Sequence, residues 1–269
     1  MYLDVVDLRA FYAERLGLIA KRLIGEKLKR RWPSVAGQRL LGIGYATPYL
    51  RQFGGEPESV IAFMPAVQGV VNWPGDGLNA AALVDDDALP LRDASIDRVL
   101  AIHSLEMAGN ARDQLQEIWR VLVPGGRFLL VVPNRRGLWA RGEATPFGYG
   151  HPFSRGQLMA LLRDAQFSPL GWSEALALPP SRRRLMMRSG AVWERIGGIL
   201  WPGFAGVIVV EATKLLYQGI PARVRSRLRP AFNPAFLPHR PALAIRCRRP
   251  AATCAAGTPP AARTGSRMP

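Results

Sequence analysis

The sequence predicts an α/β domain built on a mostly parallel sheet, and two observations carry that expectation. Apolar segments of strand length at residues 39–43, 59–64, 98–102 and 127–132 alternate with segments whose apolar side chains repeat at helical spacing. The first of these strands runs into a glycine-containing turn, Gly42-Ile43-Gly44-Tyr45-Ala46, the kind of turn that lets a nucleotide-binding unit bring its backbone close to a ligand. Strands alternating with helices pair in parallel through helical crossovers.

Taken in order, residues 4–30 place Leu8, Phe11, Leu16, Ile19, Leu23 and Leu28 among charged residues, the pattern of one amphipathic helix, and Trp32-Pro33 stops it. Between the third and fourth apolar segments quoted above, "NARDQLQEIWRVL" puts Leu115, Ile118, Trp119 and Leu122 on one helical face. Ser154 is placed as the N-cap of a helix over 157–165. Two later strands, 167–176 and 205–212, are separated by the Arg-rich segment "SRRRLMMRSGAVWERIGGILW". Three regions follow: an N-terminal helical segment over 1–36, an α/β domain over 37–220 with a helical insertion at 176–204, and a basic tail over 221–269. From residue 250 onward Ala, Pro, Thr, Gly and Arg dominate without periodicity, a composition expected to stay disordered.

At 269 residues and 48% hydrophobic composition the chain can bury a sizeable core. Its formal charge of +16 is unevenly spread, because residues 221–269 hold ten arginines and no acid, leaving +6 for the rest. Such a tail attracts polyanions or an acidic lipid surface without regard to sequence. Cys247 and Cys254 offer neither a disulfide framework nor a zinc site, consistent with a reducing cytoplasm. The N-terminus "MYLDVVDLRA" has acids where a signal peptide needs basic residues. The longest apolar run, 196–210, is interrupted by Pro202 and glycines and falls short of the ~20 residues that span a bilayer. A soluble, cytoplasmic protein without a transmembrane segment is expected.

Three stretches then appear in a telling order: "GQRLLGIGYATPYL", "VDDDALPLRDASIDRVLAIHSLEM" and "DQLQEIWRVLVPGGRFLLVVP". Together they resemble the class I S-adenosylmethionine-dependent methyltransferases, in the type 11-like branch that mostly modifies small molecules, over residues 37–175. The resemblance implies a Rossmann-like, doubly wound, mostly parallel seven-stranded sheet with helices on both faces, and S-adenosylmethionine as cofactor. In that family an acid after the third strand holds the adenine amino group, followed by Leu-Pro and a Phe-Asp-x-Val strand. Asp85, Leu89-Pro90 and Ile96-Asp97-Arg98-Val99 match in order and spacing. The run from Arg120 to Gly126 matches the family's Arg-x-Leu-x-Pro-Gly-Gly. Pro124-Gly125-Gly126 is physically a turn that stops a helix and reverses the chain.

The cofactor end departs from the family. Gly42 stands where an acid orients the methionine part of the cofactor, Gly44 matches the first glycine, and Ala46 and Pro48 stand at the second and third. Met64 replaces the acid that holds the ribose hydroxyls, and Asp76 lies too far along to substitute. Each lost charged hydrogen bond costs on the order of 1.5 to 3 kcal/mol, so such losses weaken affinity by a factor between about ten and several thousand.

The resemblance places Gly44, Ala46, Asp85, Asp86 and His103 around the cofactor. His103 and Glu106 are candidates for the methionine end or the acceptor; His151, Tyr149 and Glu143 for a base or its orienter; and Arg135, Arg136 and Arg141 for an anionic substrate. Methyl transfer is an in-line attack that asks mainly for positioning, and no diagnostic triad or metal motif is present. "AIHSLEM" lacks the Asn/Asp-Pro-Pro-aromatic motif of enzymes that methylate adenine or glutamine nitrogens. The leading expectation is a methyltransferase acting on a small-molecule or lipid-like acceptor. Two alternatives stay open: a catalytically inactive methyltransferase-fold subunit that binds a protein partner, and a protein whose Arg-rich tail docks it on RNA or an anionic membrane.

Overall fold

A computed structural model describes residues 3–142, 145–177, 179–180 and 205–215. Seven strands form one sheet in the order β3-β2-β1-β4-β5-β7-β6: β1 Arg39–Gly44, β2 Ser59–Pro65, β3 Ala81–Val84, β4 Ile96–Ile102, β5 Leu122–Pro133, β6 Phe167–Ala175 and β7 Val207–Lys214. Strands β1 to β5 run parallel, whereas β7 is antiparallel to both β5 and β6. Strand β1 lies between β2 and β4, so the winding reverses there, and a crevice opens at the carboxyl ends of β1 and β4.

Among the described residues five α-helices cover the sheet: α1 Val5–Ala13, α2 Arg15–Arg31, α3 Thr47–Leu50, α4 Ala111–Val121 and α5 Arg155–Asp164. Alternate side chains of each strand enter opposite cores. Leu40, Met64, Leu100 and Leu129 join the core that contains Leu8, Leu23 and Leu28 of α1 and α2. Leu41, Val99, Phe128 and Leu130 join Leu115, Ile118, Leu158 and Leu162 of α4 and α5. Ser154 caps α5 in a full capping box with Gln157.

Four local features differ from what the sequence suggested. The single helix expected over 4–30 is two, because Glu14 takes an extended backbone conformation (φ −75°, ψ 159°). Gly17 makes the corner feasible, since a Cβ there would lie 2.8 Å from Tyr12 Cα and against the Phe11 carbonyl. Pro124-Gly125-Gly126 lies within β5 rather than in a separate turn. Ile96 pairs with Leu122 and Arg98 with Arg127, so the three residues bulge out, with Gly125 at φ +73°. The first crossover keeps only the one-turn α3, and the β2–β3 connection contains no helix. The insertion and tail fall almost wholly at 181–204 and 216–269, outside the described residues, as does Glu143.

The matched motifs have structural work to do. Asp97 accepts from the Arg39 backbone N–H and from both Nε and Nη2 of its guanidinium, at 2.9, 2.9 and 3.1 Å, joining the starts of β1 and β4. This arginine holds the Asp97 carboxyl below its usual range. Arg120 donates to the carbonyls of Leu89 and Leu91 and to the carboxylates of Asp93 and Glu117, while Glu117 accepts from the Leu89 N–H. The Leu-Pro loop and the Arg of the helix end are thus two halves of one clamp.

Candidate functional site

Strand β1 delivers the glycine turn to the crevice. Gly44 sits at φ +73°, and a Cβ there would lie 2.8 Å from the His103 carbonyl oxygen. Glycine is required because the turn packs directly on the backbone leaving β4. Ala46 is buried at φ −83°, where its methyl costs no strain. Gly42 faces Leu50 and Ala46: a Cβ would lie 2.9 Å from Leu50 Cδ1 and 3.0 Å from Ala46 Cβ. The space that the family's acid would need is taken up by these two side chains. Met64 is fully buried, with its sulfur 3.4 Å from the Val71 N–H, and Asp76 is spent on an exposed ion pair with Arg51.

Over the ends of β1 and β4, helix α1 lowers Tyr12 into a buried polar chain. The Tyr49 hydroxyl donates to the Tyr12 hydroxyl at 3.1 Å, so the Tyr12 proton goes to His103 Nε2 at 2.9 Å. That order assigns the remaining proton of a neutral His103 to Nδ1, which faces Glu106 Oε1 at 3.5 Å. His103 adopts φ +51°, and the Gln68 side-chain amide donates to its carbonyl at 3.1 Å. Phe147 and Tyr12 pack against the imidazole, and Tyr45 stacks on Tyr12. Burial pushes the Tyr12, Tyr45 and Tyr49 hydroxyls upward, so all three act as neutral phenols.

The Glu106 carboxylate is 1% exposed, and neither of its oxygens receives a hydrogen bond. With His103 Nδ1 held 3.5 Å away, beyond a good hydrogen bond, such a buried carboxylate is costly unless a cation reaches it. It follows β4 by four residues, on the crevice side of the sheet where the missing acid of β1 would have acted.

The other predicted residues are placed as follows. Asp85 comes directly after β3 and is exposed; Asp86 is partly buried, and burial pushes its carboxyl up to about 6 against the opposing pull of Gln114. Tyr149 packs on the core beside Phe147. His151 is held by its backbone N–H on the Glu106 carbonyl at 2.8 Å, but its exposed side chain lines a separate cavity of about 580 Å³ together with Arg112 and Arg135. His103, Glu106 and the turn residues therefore converge; His151 does not join them. Tyr12 and Gln68 were missed by the sequence reading. The signal for Tyr12 was its position next to Phe11 and one turn after Leu8 on a helix that must face inward.

A family model described as a methyltransferase domain matches residues 41–130, the span from β1 through most of β5. This segment is similar to a methyltransferase domain. Solved structures share the fold of this domain. The Thermotoga maritima S-adenosylmethionine-dependent methyltransferase is 17% identical, covering 78% of this chain and 96% of its own, with a TM-score of 0.52. The protein solved in complex with the Haloferax volcanii Trm112 methyltransferase activator is 18% identical, covering 78% and 98%, with a TM-score of 0.54. The [4+2]-cyclase SpnF is 22% identical, covering 73% and 81%, with a TM-score of 0.52. A search of curated proteins by sequence found no match. The domain match and the strand order support the class I family, a methyltransferase activity and S-adenosylmethionine as cofactor. Among the described residues no helix is long and apolar enough to cross a membrane.

Proposed function

We propose that this domain methylates a small-molecule or lipid-like acceptor and holds its cofactor by a relocated anchor, with Glu106 serving in place of the acid absent at position 42. The observation that carries the reading is the buried Glu106 carboxylate at the carboxyl end of β4, which receives no hydrogen bond and faces only the imidazole edge of His103, with Nδ1 at 3.5 Å. The cofactor's sulfonium supplies an electrophilic methyl group, and its ammonium is the cation that Glu106 would accept. Asp85, exposed after β3, is free to accept from the adenine amino group, with Asp86 beside it. No carboxylate stands at Met64, so the ribose has no counterpart of the family's acceptor there.

The chain's own residues then position and exclude water. Gly44 and Ala46 form the close backbone turn, and the His103 ring is held in place by the Tyr12 hydroxyl at 2.9 Å from Nε2. Helix α1 covers this site with Leu8 and Tyr12, and its corner at Glu14 and Gly17 is where it would pivot to admit ligands.

The test is calorimetric titration of wild type and Glu106→Gln with S-adenosylmethionine and S-adenosylhomocysteine. Both ligands carry the ammonium, so the substitution should weaken both about tenfold to a hundredfold. Loss for S-adenosylmethionine alone would place Glu106 at the sulfonium, and unchanged affinity for both would remove it from the site.

A further inference from the structure

A cleft of about 960 Å³ opens beside the buried chain, between α1, the start of α2, the turn after β1 and the 70–75 segment that follows β2. Its volume suits a small ligand. Asp85, His103 and Glu106 take no part in its wall. The wall holds three cations, Arg9, Lys21 and Arg51, and no carboxylate. Arg51 is neutralised by Asp76 at 2.8 Å. Arg9 and Lys21 have no ion-pair or hydrogen-bond partner among the described residues. Among the described residues, two positive charges without a counter-ion therefore face the cleft, and the cofactor, itself a net cation at neutral pH, gains nothing from them.

Apart from Thr47, Asn72 and the two tyrosines, the rest of the wall is apolar. Val5, Val6 and Ala13 come from α1 and its end, Val70, Val71 and Trp73 from the opposite side. Val6 and Val70 remain 65% and 43% exposed, so the molecule leaves apolar surface in water on both sides. Tyr12 and Tyr45 close the inner end.

We infer that this cleft binds an acidic amphiphile, a carboxylate or phosphate monoester on an apolar body, with Arg9 and Lys21 on the head group and Val6, Val70, Val71 and Trp73 on the body. The inference goes beyond the methyl-transfer reading and stands on the cleft's charge and lining alone.

Dodecyl phosphate, kept below its micelle concentration, is the probe. The full chain should bind it in the micromolar range, with inorganic phosphate at least about a hundredfold weaker and dodecyltrimethylammonium not bound. Arg9→Gln/Lys21→Gln and, separately, Val70→Asp should each weaken dodecyl phosphate at least about tenfold, with unchanged melting. S-adenosylmethionine titrated into the same variants should bind as in wild type, so its failure to bind wild type would count against the methyltransferase reading and leave this inference to the dodecyl phosphate result. Equal binding of the anionic and cationic detergents would overturn the proposal. So would affinity untouched in both variants, which would assign the binding to another surface such as the Arg-rich residues 221–269. Binding to phosphatidylglycerol vesicles that depends on Arg9 and Lys21, without binding of dissolved dodecyl phosphate, would place the head group at a lipid surface and overturn the cleft as well.

Discussion

Restoring the family acid by Gly42→Asp should damage this protein rather than improve it. In the fold, a Cβ at position 42 meets Leu50 Cδ1 at 2.9 Å and Ala46 Cβ at 3.0 Å, and both neighbours are buried. Forcing atoms into such a packed core costs about 1–3 kcal/mol. The carboxylate would also be buried against the apolar side chains of Leu50 and Ala46, which adds about 1–3 kcal/mol or more. A total of about 2–6 kcal/mol corresponds to a fall in Tm of roughly 4–24 °C for a domain of this size. Urea unfolding at pH 7 measures the first figure and a calorimetric scan the second, while titration with S-adenosylmethionine on the remaining folded protein should show no gain in affinity. A Gly42→Asp protein as stable as wild type that binds the cofactor more tightly would refute the argument, because position 42 would then open onto the ligand and Glu106 would have no vacancy to fill.

Other substitutions test other joints. Arg120→Ala removes the clamp on the Leu89–Asp93 loop, leaves Glu117 with its arginine gone, and should cost about 2–4 kcal/mol in urea unfolding; Arg120→Lys should recover little, since one ammonium cannot serve the four acceptors. Tyr12→Phe leaves His103 Nε2 without its donor and the Tyr49 hydroxyl without its acceptor, at about 1–3 kcal/mol, with a change in the His103 ring resonances by NMR. Asp86 has a folded carboxyl pulled above its ordinary 3.8 to about 6 by burial, so the charged form opposes folding. Its cost is absent below about pH 4 and present in full above about pH 6. Asp86→Asn should therefore stabilise the protein at pH 7 by about 1–2 kcal/mol after solvent screening, and the gain should vanish in unfolding measured at pH 3.5.

How legible all this was depends on which residues speak locally. The sheet was readable because buried parallel strands are short apolar runs, and the Leu-Pro, Asp97 and Arg120 positions kept order and spacing; the fold shows why, since Arg120 and Asp97 bond across the elements they join. The break at Glu14 was hidden, because the apolar spacing on both sides stays helical and only Gly17, abutting the Phe11 carbonyl, marks the corner. The bulge at Pro124-Gly125-Gly126 was misread as a turn because positive-φ glycine serves both. The absences at positions 42 and 64 were visible, but their consequence was not: that Leu50 and Ala46 fill the first gap is a tertiary fact. Glu106 was named as a candidate from its place after β4, while its lack of a hydrogen bond, with His103 Nδ1 stopping 3.5 Å short, could be seen only once Tyr12, His103 and Gln68 were in place.

The most direct test of the central claim, a methyltransferase domain whose cofactor anchor has moved from β1 to the end of β4, is calorimetric titration of the full chain with S-adenosylmethionine, run in parallel on Glu106→Gln. The account predicts micromolar binding by the wild type and about tenfold to a hundredfold weaker binding by the variant. No heat from the folded wild type at millimolar cofactor, or wild-type affinity in the variant, would contradict it.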